Sequence, residues 1–328
     1  MPAEKTIDLV ALGELLIDFT QVGSSPDGRE LFERNPGGAP ANVLAAATRL
    51  GLSTEFVGKV GADLQGAFLR RTLERCGVGT AGLVEDAGAF TTMAFVEVDD
   101  RTGDRSFSFA RKPGADAMLG PDEVSPELLS SCRVLHLGSI SLTTDPARSA
   151  TIYAAEAAAD AGALISYDPN YRADLWSDEQ TAVEEMSDVL GSADLLKLSE
   201  VEARMIFGTD DVEEAARMAL ARGVRLVAVT LGERGACLAT HGARASVEGF
   251  PATCVDATGA GDAFWGTTLA WLLSRRGVRT ATDLDGLTAE DLSACGRFAC
   301  AAAACCVEGR GAIPAMPTLE QVEARLGA

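Results

Sequence analysis

The chain has 328 residues, of which 47% are hydrophobic and 23% are charged, the proportions of a globular protein with a large core. Its 48 acidic residues outnumber its 28 basic residues and give a formal net charge of −20 at pH 7. Nucleic acids and anionic membranes both require clustered Lys and Arg, so we expect neither as a partner.

The N-terminal segment MPAEKTIDLVALGELLIDF lacks the uncharged apolar stretch of a signal peptide, because Glu14 and Asp18 interrupt it. The longest apolar run, residues 298–307, is too short to cross a bilayer. We therefore expect a cytoplasmic protein.

Residues 7–12 are typical of a buried strand, and Asp18 follows in the alternating run LLIDFTQV. A carboxylate in this place suits a ligand contact, and a turn or capping Asp is the alternative.

The next stretch, NPGGAPANVLAAATRLG, predicts a tight loop followed by a helix. Gly37 and Gly38 leave room for a ligand ring, and Asn42 in the first helical turn can hydrogen-bond to sugar hydroxyls. An ordinary helix cap is the alternative. The later Gly58-Lys59 pair is not a phosphate P-loop, because Ser53 stands where that motif requires Gly.

Two alternating segments, TTMAFVEVD and RSFSFA, flank the turn DRTGD and predict a β-hairpin. With the alternating segments after Asp18, they predict a small sheet that projects from the main domain as a lid. We expect one domain, residues 1–328, whose lid is formed by residues 15–36 and 89–113. Arg111 follows the hairpin and can return a charge to the cleft, and a solvated charged loop is the alternative.

From Val134 onward, strand patterns alternate with helical patterns, which predicts a mostly parallel, doubly wound sheet. Ligands of such sheets bind at the carboxyl ends of the strands. The polar residues expected at those ends are Asp168, Asn170 and Arg172, then Lys197, Ser199 and Glu202, and then Thr230, Gly232 and Gly235.

Residues 256–264, DATGAGDAF, predict a glycine-rich loop that opens a helix. The small residues Gly259, Ala260 and Gly261 let backbone N–H groups converge, and a helix start favours an anion such as a phosphoryl group. Asp262 lies in the first turn, where a carboxylate can accept the proton of an attacking hydroxyl. A helix start with a capping Asp is the alternative.

Two motifs, GGAPANVLAAATRLG with GKVGAD and VDATGAGDAFWG, resemble the signatures of the ribokinase-like (pfkB-type) carbohydrate kinases. The segments FARKPGADAML, YDPNYRADLW and VTLGERGA resemble the fructokinase branch of that family. The resemblance implies an αβα sandwich with a small β-sheet lid, ATP as phosphoryl donor, Mg²⁺ and, in the loop before the helix, K⁺. It also implies a homodimer that forms through the lid.

The site residues are expected in four groups. Asp262 is the expected general base, with Gly259, Ala260 and Gly261 as the anion hole. The expected sugar-binding residues are Asp18, Gly37, Gly38, Asn42 and Arg111. The expected ATP-binding residues are Asn170, Arg172, Lys197, Ser199, Thr230, Gly232, Gly235 and Cys300. Glu202 is expected to hold Mg²⁺ through water, and Asp256 and Thr258 are expected to hold K⁺.

The activity implied by the resemblance is transfer of the γ-phosphoryl of ATP to a primary hydroxyl of a ketohexose, above all O6 of fructose. One alternative is a 2-keto-3-deoxygluconate, ribose or riboside kinase of the same fold. Another, from a different class, is a non-catalytic sugar or nucleotide sensor. Asp262 argues against the sensor, because a sensor has no need of a base.

Overall fold

The computed structural model describes residues 5–98 and 105–327, which form two β-sheets with helices on both faces of the larger one. The strands in chain order are β1 Ile7–Leu12, β2 Leu16–Ser24, β3 Glu30–Gly37, β4 Thr54–Gly61, β5 Gly79–Asp86, β6 Met93–Val98, β7 Arg105–Ala110, β8 Cys132–Leu137, β9 Leu164–Tyr167, β10 Leu195–Ser199, β11 Leu226–Thr230, β12 Ala236–Thr240 and β13 Arg244–Val247. The helices are α1 Ala39–Arg49, α2 Leu64–Cys76, α3 Pro126–Ser131, α4 Ala147–Asp160, α5 Glu179–Leu190, α6 Glu200–Phe207, α7 Val212–Ala221, α8 Ala260–Ala270, α9 Ala281–Asp285, α10 Ala289–Val307 and α11 Leu319–Leu326.

The larger sheet has nine strands in the order β13-β12-β11-β10-β9-β8-β1-β4-β5. Neighbouring strands from β11 to β5 run parallel, whereas β12 is antiparallel to both β11 and β13. Strands β4 and β5 lie in order on one side of β1, and strands β8 to β11 lie in order on its other side. The strand order therefore reverses beside β1, and this reversal opens a crevice at the carboxyl ends of the strands.

Two apolar cores cover the two faces of the larger sheet. Along β1, Leu9 and Ala11 face the core formed with α1, α2, α8 and α10. Val10 and Leu12 face the opposite core, formed with α3 to α7, because side chains alternate along a strand. Both faces of the sheet are thus buried, as expected for a parallel sheet.

Helices α1 and α8 approach each other closely at Gly266. A Cβ atom at Gly266 would lie 2.5 Å from the carbonyl oxygen of Val43, so only glycine permits this contact. Helices α1 and α8 each begin at one of the two glycine-rich segments described above. Their packing brings these two segments together, although they are far apart in the sequence.

The smaller sheet has four strands in the order β3-β2-β6-β7. Phe19 of β2 stacks on Phe95 of β6 with 5.3 Å between ring centroids, and Phe32 of β3 packs edge-on against Phe95. The predicted β6-β7 pairing is present and antiparallel, whereas the turn DRTGD predicted between the two strands lies outside the described residues.

The two-sheet architecture confirms the predicted αβα arrangement, with a mostly parallel main sheet and a small second sheet. Nowhere in the described residues does a helix combine the length and the apolar character needed to cross a membrane.

Candidate active site

A cleft of about 890 Å³ lies at the carboxyl ends of the central strands, beneath the smaller sheet. The smaller sheet contributes Leu16, Asp18 and Phe109 to its walls. Of the predicted site residues, those that line the cleft are Asp18, Gly38, Asn42, Asn170, Arg172, Lys197, Ser199, Glu202, Thr230, Gly232, Thr258, Gly259, Ala260, Gly261 and Asp262. Segments more than two hundred residues apart in sequence therefore meet in one cavity.

The glycine-rich loop opens α8 at one wall of this cleft. Gly259 caps the helix with φ of 81°, in the left-handed region that favours glycine, and a Cβ atom there would lie 2.6 Å from the Cβ of Ala312. Ala260 and Gly261 are the first two helical residues; the N–H of Ala260 donates a long 3.3 Å hydrogen bond to the carbonyl of Ala257 before the helix, and the N–H of Gly261 has no intrahelical acceptor. Such a helix start is suited to an anion.

Asp262 is the third residue of α8 and is only 7% exposed. The side-chain amide of Asn42 donates a hydrogen bond to its Oδ2 over 2.7 Å, and that of Asn170 lies 3.4 Å from its Oδ1. Burial raises the pKa of Asp262, while the hydrogen bond from Asn42 and the charges of Lys197 and Arg172 oppose that rise. A carboxylate held in this way can receive a proton at the cleft surface.

Asn42 also has an oxygen available to a ligand. Its side chain is 5% exposed, and its Oδ1 has no hydrogen-bond partner among the described residues. A buried carbonyl oxygen without a partner is costly, so a hydroxyl group bound in the cleft would satisfy it.

Asp18 of β2 lines the cleft. Burial, with the nearby carboxylates of Asp256 and Asp262, raises the pKa of Asp18 to about 6, while Arg172 opposes this rise. Gly37 does not line the cleft itself, but a Cβ atom there would lie 2.1 Å from Oδ2 of Asp18. Glycine at this position therefore leaves the space that the Asp18 carboxylate occupies.

Glu14 lines the cleft and was not predicted as a site residue. It is buried, and its Oε1 accepts a hydrogen bond of 2.8 Å from the backbone N–H of Ala39, the first residue of α1. Burial raises the pKa of Glu14 to about 7. A signal was available in the sequence, since Glu14 is a charged residue just after the carboxyl end of β1.

Lys197 of β10 and Glu202 of α6 also line the cleft. Lys197 makes an ion pair of 2.9 Å with Asp168. Both carboxylate oxygens of Glu202 accept hydrogen bonds, one from Tyr171 N over 2.9 Å and the other from Ser199, whose N and Oγ lie 2.7 and 2.8 Å away. Burial acts to raise the pKa of Glu202, but Lys197 and these donors outweigh it and hold it below its ordinary value. Glu202 is thus an ionised carboxylate at the cleft.

The single carboxylate of Glu202 matches the way in which proteins usually bind Mg²⁺. Among the described residues there is no cluster of three or more His, Cys, Asp or Glu side chains arranged to hold a metal ion. Mg²⁺ commonly keeps several waters and binds one or two carboxylates together with substrate phosphates. Glu202 therefore suits a hydrated Mg²⁺ that arrives with a nucleotide.

Five predicted residues lie outside the lining of the cleft: Gly37, Arg111, Gly235, Asp256 and Cys300. The guanidinium of Arg111 contacts Asp116 over 2.8 Å, Thr143 Oγ1 over 2.9 Å and the carbonyl of Ile140 over 3.3 Å. Cys300 is 6% exposed and packs in the apolar core beside α8. Neither side chain is directed at the cleft in this arrangement.

Gly235 and Asp256 shape loops next to the cleft. Gly235 has φ of 104°, and a Cβ atom there would lie 2.0 Å from the carbonyl oxygen of Val247. One Asp256 oxygen accepts hydrogen bonds from the N and Oγ1 of Thr258, and the other accepts one of 3.0 Å from Gly311 N. Asp256 thereby ties the loop before α8 to the segment after α10.

The sequence and the fold are both similar to those of known proteins. The sequence matches the model of the pfkB family carbohydrate kinases over residues 6–319. Fructokinase-2 of Solanum lycopersicum is 40% identical over 316 residues, which cover 95% of this chain and 94% of that protein.

Two solved structures are similar over nearly their whole length. Fructokinase with bound ATP from Xylella fastidiosa has a TM-score of 0.89 and 32% identity, covering 97% of this chain and 98% of that one. Fructokinase from Vibrio cholerae O395, in a form with fructose, ADP and calcium ion bound, has a TM-score of 0.84 and 32% identity, covering 98% of this chain and 99% of that one.

The fold and the cleft define a carbohydrate kinase of the ribokinase-like class. The chain belongs to the pfkB family of carbohydrate kinases, as its two glycine-rich signatures predicted, and the three relatives described above are named fructokinases.

Proposed function

We propose that this protein is a fructokinase that transfers the γ-phosphoryl of ATP to the O6 hydroxyl of fructose, forming fructose 6-phosphate and ADP. The observation that carries the proposal is the position of Asp262, a buried carboxylate in the first turn of α8 that lines the cleft together with Asp18 and Asn42. The names of the relatives support fructose as the acceptor.

In the proposed mechanism, Asp262 accepts the proton of the attacking hydroxyl as its oxygen bonds to the γ-phosphorus. The bond between that phosphorus and the β-γ bridging oxygen breaks, and ADP carries away the electron pair. The backbone N–H groups of Ala260 and Gly261 stabilise charge on the transferring group, and one such donor is typically worth about 3 kcal/mol of barrier. Asp262 and the anion hole thus act on the two ends of one forming bond.

The sugar is proposed to lie between β2 and α1. Asp18, whose carboxylate fills the space beside Gly37, accepts hydrogen bonds from the sugar hydroxyls, Gly38 lines the cleft beside it, and the unpartnered Oδ1 of Asn42 accepts a further hydroxyl. Because Asn42 also donates to Asp262, it links the sugar to the base.

ATP is proposed to lie along the carboxyl ends of β9 to β11. Its phosphates reach Asn170, Arg172, Lys197 and Ser199, and its nucleoside lies near Thr230, Gly232 and Gly235, with Cys300 behind. Bound Mg²⁺, held through water by Glu202, would neutralise phosphate charge. The loop that Asp256 and Thr258 form is the proposed K⁺ site.

The smaller sheet is proposed to act as a lid within one domain, because three of its residues line the cleft and water must be excluded from phosphoryl transfer. Arg111 supports this role by joining the end of β7 to the segment after β8.

The exposed edges of β3 and β7 suit pairing with a second copy, so a homodimer is proposed. A cytoplasmic location stays a prediction.

ADP release with MgATP tests the proposal when measured across fructose, glucose, mannose, ribose, 2-keto-3-deoxygluconate and a purine riboside. We expect fructose to give by far the highest kcat/KM. Faster turnover of another acceptor would contradict the substrate while retaining the reaction type. Absence of turnover on every acceptor, with sugar binding retained, would instead favour a sensor.

A further inference from the structure

Asp168 is buried just behind the proposed active site and does not itself line the cleft. It follows β9 directly and is 2% exposed; the sequence placed it among the polar residues at the strand ends but assigned it no role in the site. A carboxylate buried so deeply is costly unless each oxygen has a partner. Its two oxygens contact two different residues that line the cleft.

The first partner is Lys197. Oδ2 of Asp168 lies 2.9 Å from the Lys197 ammonium, and the strands that carry the two residues are neighbours in the sheet. The ammonium lies 3.1 Å from the place that a Cβ atom would take at Gly261, so it sits directly beside the anion hole. Burial acts to lower the pKa of Lys197, but Asp168 and Glu202 outweigh it and raise it, so the cation persists in the buried site.

The second partner is Asn170. Oδ1 of Asp168 accepts a hydrogen bond of 3.1 Å from the backbone N–H of Asn170. Asn170 has φ of 47°, a left-handed conformation that is uncommon outside glycine and that this hydrogen bond helps to hold. In this conformation its side-chain amide lies 3.4 Å from Oδ1 of Asp262.

From these contacts we propose that Asp168 is a positioning residue for phosphoryl transfer, which holds the Lys197 ammonium beside Gly261 and the Asn170 amide beside Asp262. This inference rests on the proposed kinase function and deepens it. Lys197 then adds a fixed positive charge at the position where charge develops on the transferring group. Asp168 acts through these two residues and does not touch the substrate.

The test compares wild type with Asp168→Asn, Lys197→Met and the double variant, using steady-state kinetics with fructose and MgATP. Lys197→Met should lower kcat about 100-fold, the typical effect of removing one preorganised charge-stabilising group. Asp168→Asn, which keeps the shape, should lower kcat about tenfold or more with the KM for fructose nearly unchanged. Because Asp168 acts largely through Lys197, the loss in the double variant should fall well below the product of the two single losses.

Asp194→Asn is the matched control, because Asp194 also accepts a backbone N–H, from Ile165 over 2.9 Å, but lies at the opposite end of β9 and β10. Its kcat should stay at the wild-type value. Wild-type kcat in Asp168→Asn, a parallel rise in fructose KM, or losses that multiply in the double variant would each overturn the inference.

Three further outcomes are distinguishable. If thermal melts show that Asp168→Asn does not fold, Asp168→Ser, which also removes the charge that pairs with Lys197, takes its place, and wild-type kcat in that variant or in Lys197→Met overturns the inference. If wild type phosphorylates another sugar and not fructose, the proposed substrate fails, and the same variants are compared on the sugar that is used. If wild type phosphorylates no acceptor, the proposed function and this inference both fail.

Discussion

The side-chain amide of Asn42 donates a 2.7 Å hydrogen bond to the carboxylate of Asp262, a residue 220 positions later in the chain. This bond joins the first turn of α1 to the first turn of α8. It couples the segment proposed to bind the sugar to the residue proposed to activate it. Three of the predictions below probe this junction or the loop that supports it.

Replacing Asp262 with Asn should abolish proton acceptance while keeping the shape of the site. We expect kcat to fall by about 10²–10⁴-fold, the usual contribution of a general base, with fructose and ATP still bound. Turnover is measured by ADP release and binding by calorimetry. Near-normal turnover in Asp262→Asn would refute the assignment of the base.

Replacing Asn42 with Ala should change the pH dependence of kcat. The hydrogen bond from Asn42 favours the charged form of Asp262, so its loss should raise the pKa of that carboxyl further. The acidic limb of the kcat profile should then move to higher pH by about one unit, the worth of one charge-assisted hydrogen bond. Asn35→Ala, which removes an amide of the smaller sheet, should leave the limb in place, and an unmoved limb in Asn42→Ala would argue against the coupling.

Replacing Glu14 with Gln should remove a pH-dependent cost of folding. The pKa of Glu14 is about 7 in the folded protein against an ordinary value of 4.5, so between these pH values the folded state binds more protons than the unfolded state. Wild-type stability should therefore fall relative to Glu14→Gln as pH rises from 5 to 8, by roughly 3 kcal/mol.

Urea unfolding at several pH values measures this difference. Glu74→Gln, which changes an exposed glutamate of α2, should track wild type at every pH. A pH-independent difference between wild type and Glu14→Gln would show that Glu14 does not titrate in this range.

Breaking the ion pair between Arg111 and Asp116 should destabilise the protein. Their side chains are only 7% and 2% exposed, so Arg111→Met leaves a buried carboxylate without its cation and should cost about 3–5 kcal/mol of unfolding free energy. Arg244→Met, which breaks an exposed pair with Glu213, should cost less than about 1 kcal/mol. Similar losses in the two variants, measured by urea unfolding, would mean that burial of the Arg111 pair has little effect.

Replacing Gly38 with Ala should cost more than backbone strain alone. Gly38 has φ of 116°, and a Cβ atom there would lie 2.3 Å from the carbonyl oxygen of Glu14. Gly51→Ala is the matched control, because Gly51 has φ of 95° with open space around it, and it should cost about 1–2 kcal/mol. Gly38→Ala should lose more stability than this and raise the KM for fructose; equal losses and an unchanged KM would contradict the close contact.

The sequence by itself determined the local features of this protein. Period-two and helical patterns predicted the alternating strands and helices, and the glycine-rich segments at Gly37 and Gly259 predicted the two loops that open α1 and α8. These features depend on neighbouring residues, whose backbone preferences and spacing are visible in a single chain. Asp262 could be predicted for the same reason, because the GAG loop and its helix are contiguous with it.

Only the tertiary structure decided which side chains meet. It placed Glu14 in the wall of the cleft, Asp168 behind Lys197, and the guanidinium of Arg111 against Asp116 instead of the cleft. It also placed Cys300 in the apolar core. Such contacts depend on helix packing, strand order and the volume left between elements, which couple residues far apart in the chain and leave no local pattern in the sequence.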